Sequence, residues 1–247
     1  METTPPWDRN TSDERHEDSL QTFIIFCEDN NSEPIYFRSF SNDRVQVNAI
    51  PNQGQGKLNV TNAIQKCRED GLMEFRDGGW QITEGIKGRI WCVYDRDLEH
   101  TNWEEIHDHD HLDFDLIIRT ATQSGLQVAW SNDAFELWIL LHFEDVPYEQ
   151  HQHRDYVYGR LTEIFRTLQP RDEALDSITR HPRFRYETSF KRRKHFITHV
   201  LPALKANTSA AMTRAEQLAR RFNHDIPFHR RNPCTMVHQL MANILQP

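Results

Sequence analysis

"IWCVYDRDLEH", residues 90–100, opens as a near-continuous apolar run and turns acidic where that run stops. Ile90, Trp91, Cys92, Val93 and Tyr94 leave no polar face, the pattern of a strand covered on both sides. Such a strand belongs inside a parallel sheet between helical layers. Asp95 and Asp97 follow at once, and in extended backbone residues two apart point the same way. The stretch therefore predicts a central strand whose carboxyl end carries two carboxylates aimed at one spot.

Working outward, "TFIIFCE" (22–28) reads as a first strand ending on Glu28. "NNSEPIYFRSF" reads as a helix with Ser32 as N-cap and Pro34 in its first turn. "RVQVNAI" (44–50) alternates as a second strand, and "LNVTNAIQKCRED" sets Leu58, Val60, Ala63, Ile64 and Cys67 at helical spacing. Residues 71–88, rich in glycine, read as a connector or insertion. The very acidic stretch after Asp97 becomes helical toward Ile117, Ile118 and Ala121 and stops at Gly125. "LQVAWSN" is a fourth strand, and "DAFELWILLHF" a helix apolar nearly all round, hence buried. Alternating strands and helices predict an α/β fold with a mostly parallel sheet flanked by helices. Past residue 150 the strand signals fade. Helices are expected near 154–168, 188–206 and 208–222, with a last one over "PCTMVHQLMANIL". The expected organisation is a disordered leader over 1–20, an α/β core over 21–150, and a helical, basic C-terminal region over 151–247 packed on the core.

The chain has 247 residues, is 37% hydrophobic and 27% charged, and has a mean hydropathy of -0.76. It is a globular composition with long solvated surfaces. No apolar stretch approaches membrane-span length, and the polar, acidic start lacks the features of a secretory signal. Cys27, Cys67, Cys92 and Cys234 form no C-x-x-C pair, and a reduced, cytoplasmic protein is expected. The net charge of -8 is divided unevenly: residues 180–231 hold 13 Lys or Arg against 3 Asp or Glu, leaving 16 against 34 elsewhere. That segregation reopens nucleic acid as a partner, which net charge alone would argue against.

Ligands of open parallel sheets sit beyond the carboxyl ends of the strands. Three such ends here are polar: Glu28, then Asp95 and Asp97, then Ser131 and Asn132. Carboxylates gathered there repel unless protonated or neutralised by a cation, and oxygen-only ligands suit Mg²⁺ or Mn²⁺. The plain alternative is that Asp95 and Asp97 cap a loop and pair with Arg96 or Arg119. Glu33 fits a helix N-terminus through the dipole as well as it fits a second-metal role. Glu136 could close a capping box with Asp133 or face the site. His142 reads as a hydrogen-bonded core histidine. "HDHDH" (107–111) invites zinc, but it lies in a polar loop without cysteine. "GQGK" (54–57) lacks P-loop spacing, so ATP is not expected there. "FKRRKHF" (190–196) is either a solvated helix face or a phosphate contact. Its place in the basic segment favours the contact, made by Lys191, Arg192, Arg193 and Lys194. Helical spacing puts Phe190, Arg193, Ile197 and Leu201 on the inner face.

Together, "FIIFCEDNNSEPIYF", "IWCVYDRD", "VAWSNDAFELWILLHFE" and "NPCTMVHQLM" resemble the RloB family, whose domain is related to Toprim. The resemblance runs from about residue 22 to the C-terminus with every block in order. The chain departs from the family pattern at Asp29, where glycine is usual, and at Asp133–Ala134, where Pro-Cys is common. Such a resemblance implies a Toprim-type centre in which Glu28 is a general acid/base or metal ligand and Asp95 and Asp97 bind Mg²⁺ (or Mn²⁺). With the residues read above, the expected catalytic set is Glu28, Glu33, Asp95, Asp97 and Lys191, the lysine taken from the basic run as the one near the scissile phosphate, with Ser131, Asn132 and Glu136 as support. The implied function is a metal-dependent nuclease acting on DNA or RNA in antiphage defence, accompanied in some members by a partner ATPase. The alternatives are a non-catalytic Toprim-like module binding nucleic acid or an ATPase and, more distantly, ligase or primase chemistry.

Overall fold

The strand over Ile90–Asp95 lies at the centre of the sheet with Ile90 through Tyr94 buried. The computed structural model describes residues 20–54, 57–98 and 112–246; the leader and "HDHDH" fall outside them. In chain order come β1 (Gln21–Phe26), α1 (Ser32–Arg38), β2 (Val45–Ile50), α2 (Lys57–Glu69), β3 (Met73–Arg76), β4 (Gly79–Ile82), β5 (Ile90–Asp95), α3 (Leu112–Gln123), β6 (Gln127–Asn132) and α4 (Glu136–Leu141). Then follow α5 (Arg154–Thr167), α6 (Glu173–Thr179), α7 (Tyr186–Ser189), α8 (Arg193–His195), a π-helical turn (Phe196–Val200), α9 (Leu201–Ala219), β7 (Cys234–Thr235) and α10 (Val237–Leu245). The five-stranded sheet has the order β2-β1-β5-β6-β7, parallel through the first four strands and antiparallel at β7. The α/β expectation holds.

Side chains of β5 alternate between two apolar layers. Trp91 and Val93 join Phe23, Ile25, Ala129 and the helices α1, α4, α5 and α9. Ile90, Cys92 and Tyr94 join Val60, Ala63 and Cys67 of α2 and Phe114, Ile117 and Ile118 of α3. Helices on both faces explain why β5 carries no polar alternation. The first layer also takes in Val200, Leu204, Ala211, Val237 and Leu240, so one hydrophobic cluster joins residues from both sides of position 150. All four cysteines are buried and free. No helix among the described residues is long and apolar enough to cross a membrane.

Several expectations are corrected. Residues 71–88 contain the β3–β4 hairpin, turned by Asp77 and Gly78 at φ 49° and 81°; Asp-Gly is the type I′ signature. Leu58 is exposed, and α2 packs through Val60, Ala63 and Cys67. The helix expected over 188–206 breaks between α7 and α8, and no break occurs at 207, where α9 runs on and the Asn207 side chain donates to the Ala203 carbonyl at 2.9 Å. The π turn ends just ahead of Pro202, which has no N–H to return to the preceding turn. With that change of phase, Phe196, Val200 and Leu204 face inward, and Arg193 and Ile197 are exposed. The segment read as α10 alone begins with β7, two residues being too short to show a period.

His142 is a core histidine. Its Nδ1–H donates to the Trp138 carbonyl at 2.8 Å, which leaves Nε2 to accept from the Tyr36 hydroxyl at 3.1 Å. Burial pushes its pKa from 6.5 down to about 4. The unfolded chain therefore binds the extra proton first as pH falls, and stability drops through the window from 6.5 to 4. Between pH 7 and pH 5 this contributes about 2 kcal/mol of lost stability. His142→Gln, which keeps an acceptor for Tyr36, should show a correspondingly smaller loss in urea unfolding at the two pH values.

Candidate functional site

Glu28 stands two residues past β1 and Asp95 ends the neighbouring β5. The Asp95 N–H donates to Glu28 Oε2 at 3.2 Å. Asp95 Oδ2 accepts the Phe135 N–H at 2.9 Å, fastening β5 to the chain entering α4. Its other oxygen, Oδ1, is buried with no hydrogen-bond partner. Glu33, 1% exposed in the first turn of α1, accepts the Asp29 N–H at 3.1 Å. Ser32 is not the cap of α1: Asn31 holds the N-cap position without a side-chain bond, Asp29 from two residues earlier accepts the Ser32 N–H at 2.8 Å, and Ser32 Oγ is left buried without a partner.

These acids are close enough to suppress one another's ionisation. Burial, reinforced by Asp97, pushes Glu28 up to about 8. Burial first, then Glu33, Glu28, Asp97 and Glu136, drives Asp95 well above the usual carboxylate range. Glu33 is raised in the same way by burial, Asp29, Glu28 and Glu136. The structure thus gathers Glu28, Glu33, Asp95, Asp97 and Glu136 at one sheet end.

Two cations enter from the C-terminal region. Lys191 Nζ pairs with Glu136 Oε1 at 2.8 Å and lies over the Tyr158 ring at 5.6 Å. Arg154, the first residue of α5, donates from Nη1 to Asp97 Oδ1 at 2.6 Å and from Nε to Asp133 Oδ2 at 3.2 Å. Arg96 donates to Asn132 Oδ1 at 3.3 Å and to the His229 carbonyl, and Arg119 lies over the Phe228 ring. Asp97 has left the strand, at φ 53°, so its convergence with Asp95 comes from the turn and not from extended-chain alternation.

Asp133 forms no capping box. It accepts from the Leu98 N–H at 2.6 Å and from the Arg154 N–H at 3.0 Å, and α4 starts without a side-chain cap. Glu136 instead receives Lys191. Ser131 shares a hydrogen bond with Thr235, and Asn132 donates to the carbonyls of His229 and Arg231, so both brace β7 and the loop before it. Arg192, Arg193 and Lys194 are exposed; only Lys191 of that run reaches the acids. Sequence reading missed Arg154. The available signal was a cation in the first turn of a helix, unfavourable against the dipole unless an acid meets it.

The donor set is all oxygen, as Mg²⁺ or Mn²⁺ prefers. The unpartnered Asp95 Oδ1, amid acids kept from ionising, fits a divalent cation. Among the described residues no three Asp, Glu, His or Cys side chains stand in ligating geometry. Arg154 and Lys191 occupy Asp97 and Glu136, and backbone N–H groups hold Glu28, Glu33 and one oxygen of Asp95.

Residues 23–244 match the family model described as RloB-like protein. No curated protein and no solved structure matches the chain.

Proposed function

The chain belongs to the RloB-like protein family, and from that premise and the carboxylate cluster we propose that it is a metal-dependent nuclease hydrolysing phosphodiester bonds in DNA or RNA, acting in antiphage defence. The observation that carries this reading is Asp95 Oδ1, buried without a hydrogen-bond partner among Glu28, Glu33, Asp97 and Glu136. A partnerless buried oxygen surrounded by acids is costly unless a proton or a cation relieves it, and a cation relieves the neighbouring acids as well. Asp95 and Glu28 would hold Mg²⁺ or Mn²⁺, with Asp97 joining once Arg154 yields. Such an ion supplies Lewis-acid polarisation of a phosphoryl oxygen and charge neutralisation. Lys191, paired with Glu136, would meet an anionic oxygen entering the cluster, and Glu28, which holds a proton to about pH 8 in the absence of the ion, would give it up on binding it. The test is cleavage of a DNA and RNA panel by purified protein in Mg²⁺ or Mn²⁺, abolished by chelator.

A second reading, a binding module for nucleic acid or an ATPase that does not cut, is favoured by one observation. Arg154 and Lys191 already neutralise Asp97 and Glu136. Nucleic-acid binding without cleavage under any divalent ion would select it.

Either reading uses the basic C-terminal segment. Arg192, Arg193 and Lys194 are exposed side by side, free of the buried pairing that occupies Lys191. Changing all three to alanine should lower the salt slope of nucleic-acid binding by about 2 to 3, each lost phosphate contact removing about 0.7 to 0.9. An unchanged slope in a fluorescence-anisotropy titration would make this run ordinary solvated surface.

A further inference from the structure

We propose that Arg154 is a positioning residue whose Nη1 holds Asp97 and competes with a divalent cation for that carboxylate; the proposal rests on the metal reading above. Arg154 is anchored without Asp97. Its backbone N–H and Nε both donate to Asp133 Oδ2, at 3.0 and 3.2 Å, and Nη2 donates to the Leu98 carbonyl at 2.9 Å. Asp133 is 3% exposed and is fixed further by the Leu98 N–H. The contact from Nη1 to Asp97 is therefore separable: it can be given up while the guanidinium keeps its fork on Asp133.

Asp97 is equally fixed without Arg154. Its own N–H donates to the Asp133 carbonyl at 3.2 Å, so the turn that aims its carboxylate does not depend on the ion pair. The two side chains are 23% and 33% exposed, open enough for ions to exchange. Arg154 enters from α5 and Asp97 from the end of β5, so the contact also ties the C-terminal region to the strand end.

The competition is measurable as a cation midpoint. Full-length protein is titrated with MnCl₂ and with MgCl₂ by thermal shift, and bound Mn²⁺ is counted by electron paramagnetic resonance. The comparison is wild type against Arg154→Met combined with Asp133→Asn, which removes one charge of each sign. The net charge of the protein is then unchanged. The midpoint should fall by about fivefold, the scale of a part-exposed ion pair. Arg154→Lys supplies a second variant should the double change fail to fold. One ammonium cannot serve both Asp133 and Asp97, so its midpoint falls in the same direction. Equal or higher midpoints in the folded variants overturn the role of Arg154 and leave the metal reading standing. No bound ion in wild type or variants overturns both.

Discussion

Lys191→Met should destabilise the protein by about 3 kcal/mol, because removing one partner of a buried pair strands the other charge. Glu136 is 2% exposed, and besides Lys191 it meets the Tyr158 hydroxyl at 3.5 Å, at the outer limit of a hydrogen bond. Burial works against the Lys191 charge, yet Glu136 and Tyr158 overcome it and hold the ammonium above its ordinary range. The estimate stands at the low end of the range for buried pairs because the Lys191 side chain is 36% exposed. Glu136→Gln alone should cost less, about 1 kcal/mol, since the freed ammonium can turn to water. The double variant should return to within about 1 kcal/mol of wild type, leaving a coupling of about 3 kcal/mol. Urea unfolding of the four proteins reads the cycle. Additive changes would mean that Lys191 is a surface residue, with no hold on α4.

That pair also shows where sequence reading stops. The apolar run over 90–94 predicted a strand covered on both faces, and the two layers around Trp91, Val93, Cys92 and Tyr94 are that cover. Strand-end acids were equally legible, because a parallel sheet fixes which ends face one way: Glu28 and Asp95 follow from order alone. What joins them to the rest is not local. Lys191 lies 55 positions beyond Glu136, and Arg154 lies 57 beyond Asp97. No period or spacing encodes such contacts. Asp133 illustrates the cost of a local rule: D-x-x-E matched a capping box, but Arg154 and the Leu98 N–H claimed the carboxylate, and tertiary partners prevailed over the cap. The β3–β4 hairpin was different, since Asp77-Gly78 carried its signal in the open and the glycine-rich surroundings masked it. Asp29 ties the entry to α1, its side chain accepting the Ser32 N–H and its backbone N–H donating to Glu33.

Asp95→Asn should abolish both the stabilisation by divalent cation and phosphodiester cleavage. A ligand at a hundredfold its Kd stabilises by about 2.7 kcal/mol, which for a chain of this size raises Tm by about 5 to 10 °C. Wild type should show that shift in Mg²⁺ or Mn²⁺. Its midpoint should fall as pH rises toward 8, because the ion must displace the proton that Glu28 keeps to about that pH. Without metal the sign reverses. Folded Glu28 binds a proton up to about pH 8, which the unfolded chain releases near 4.5, so this group's contribution to stability declines as pH rises through that window. In the variant, the Asn carbonyl still accepts the Phe135 N–H, and one of several mutually repelling acids is gone. The metal-free variant should therefore melt at or above the wild-type temperature. Thermal melts across pH 6 to 8, with and without Mg²⁺, separate lost binding from lost folding. Cleavage that survives Asp95→Asn would end the nuclease reading at this site. A metal-dependent shift without cleavage of DNA or RNA would instead leave the cation centre in place and move the function to binding.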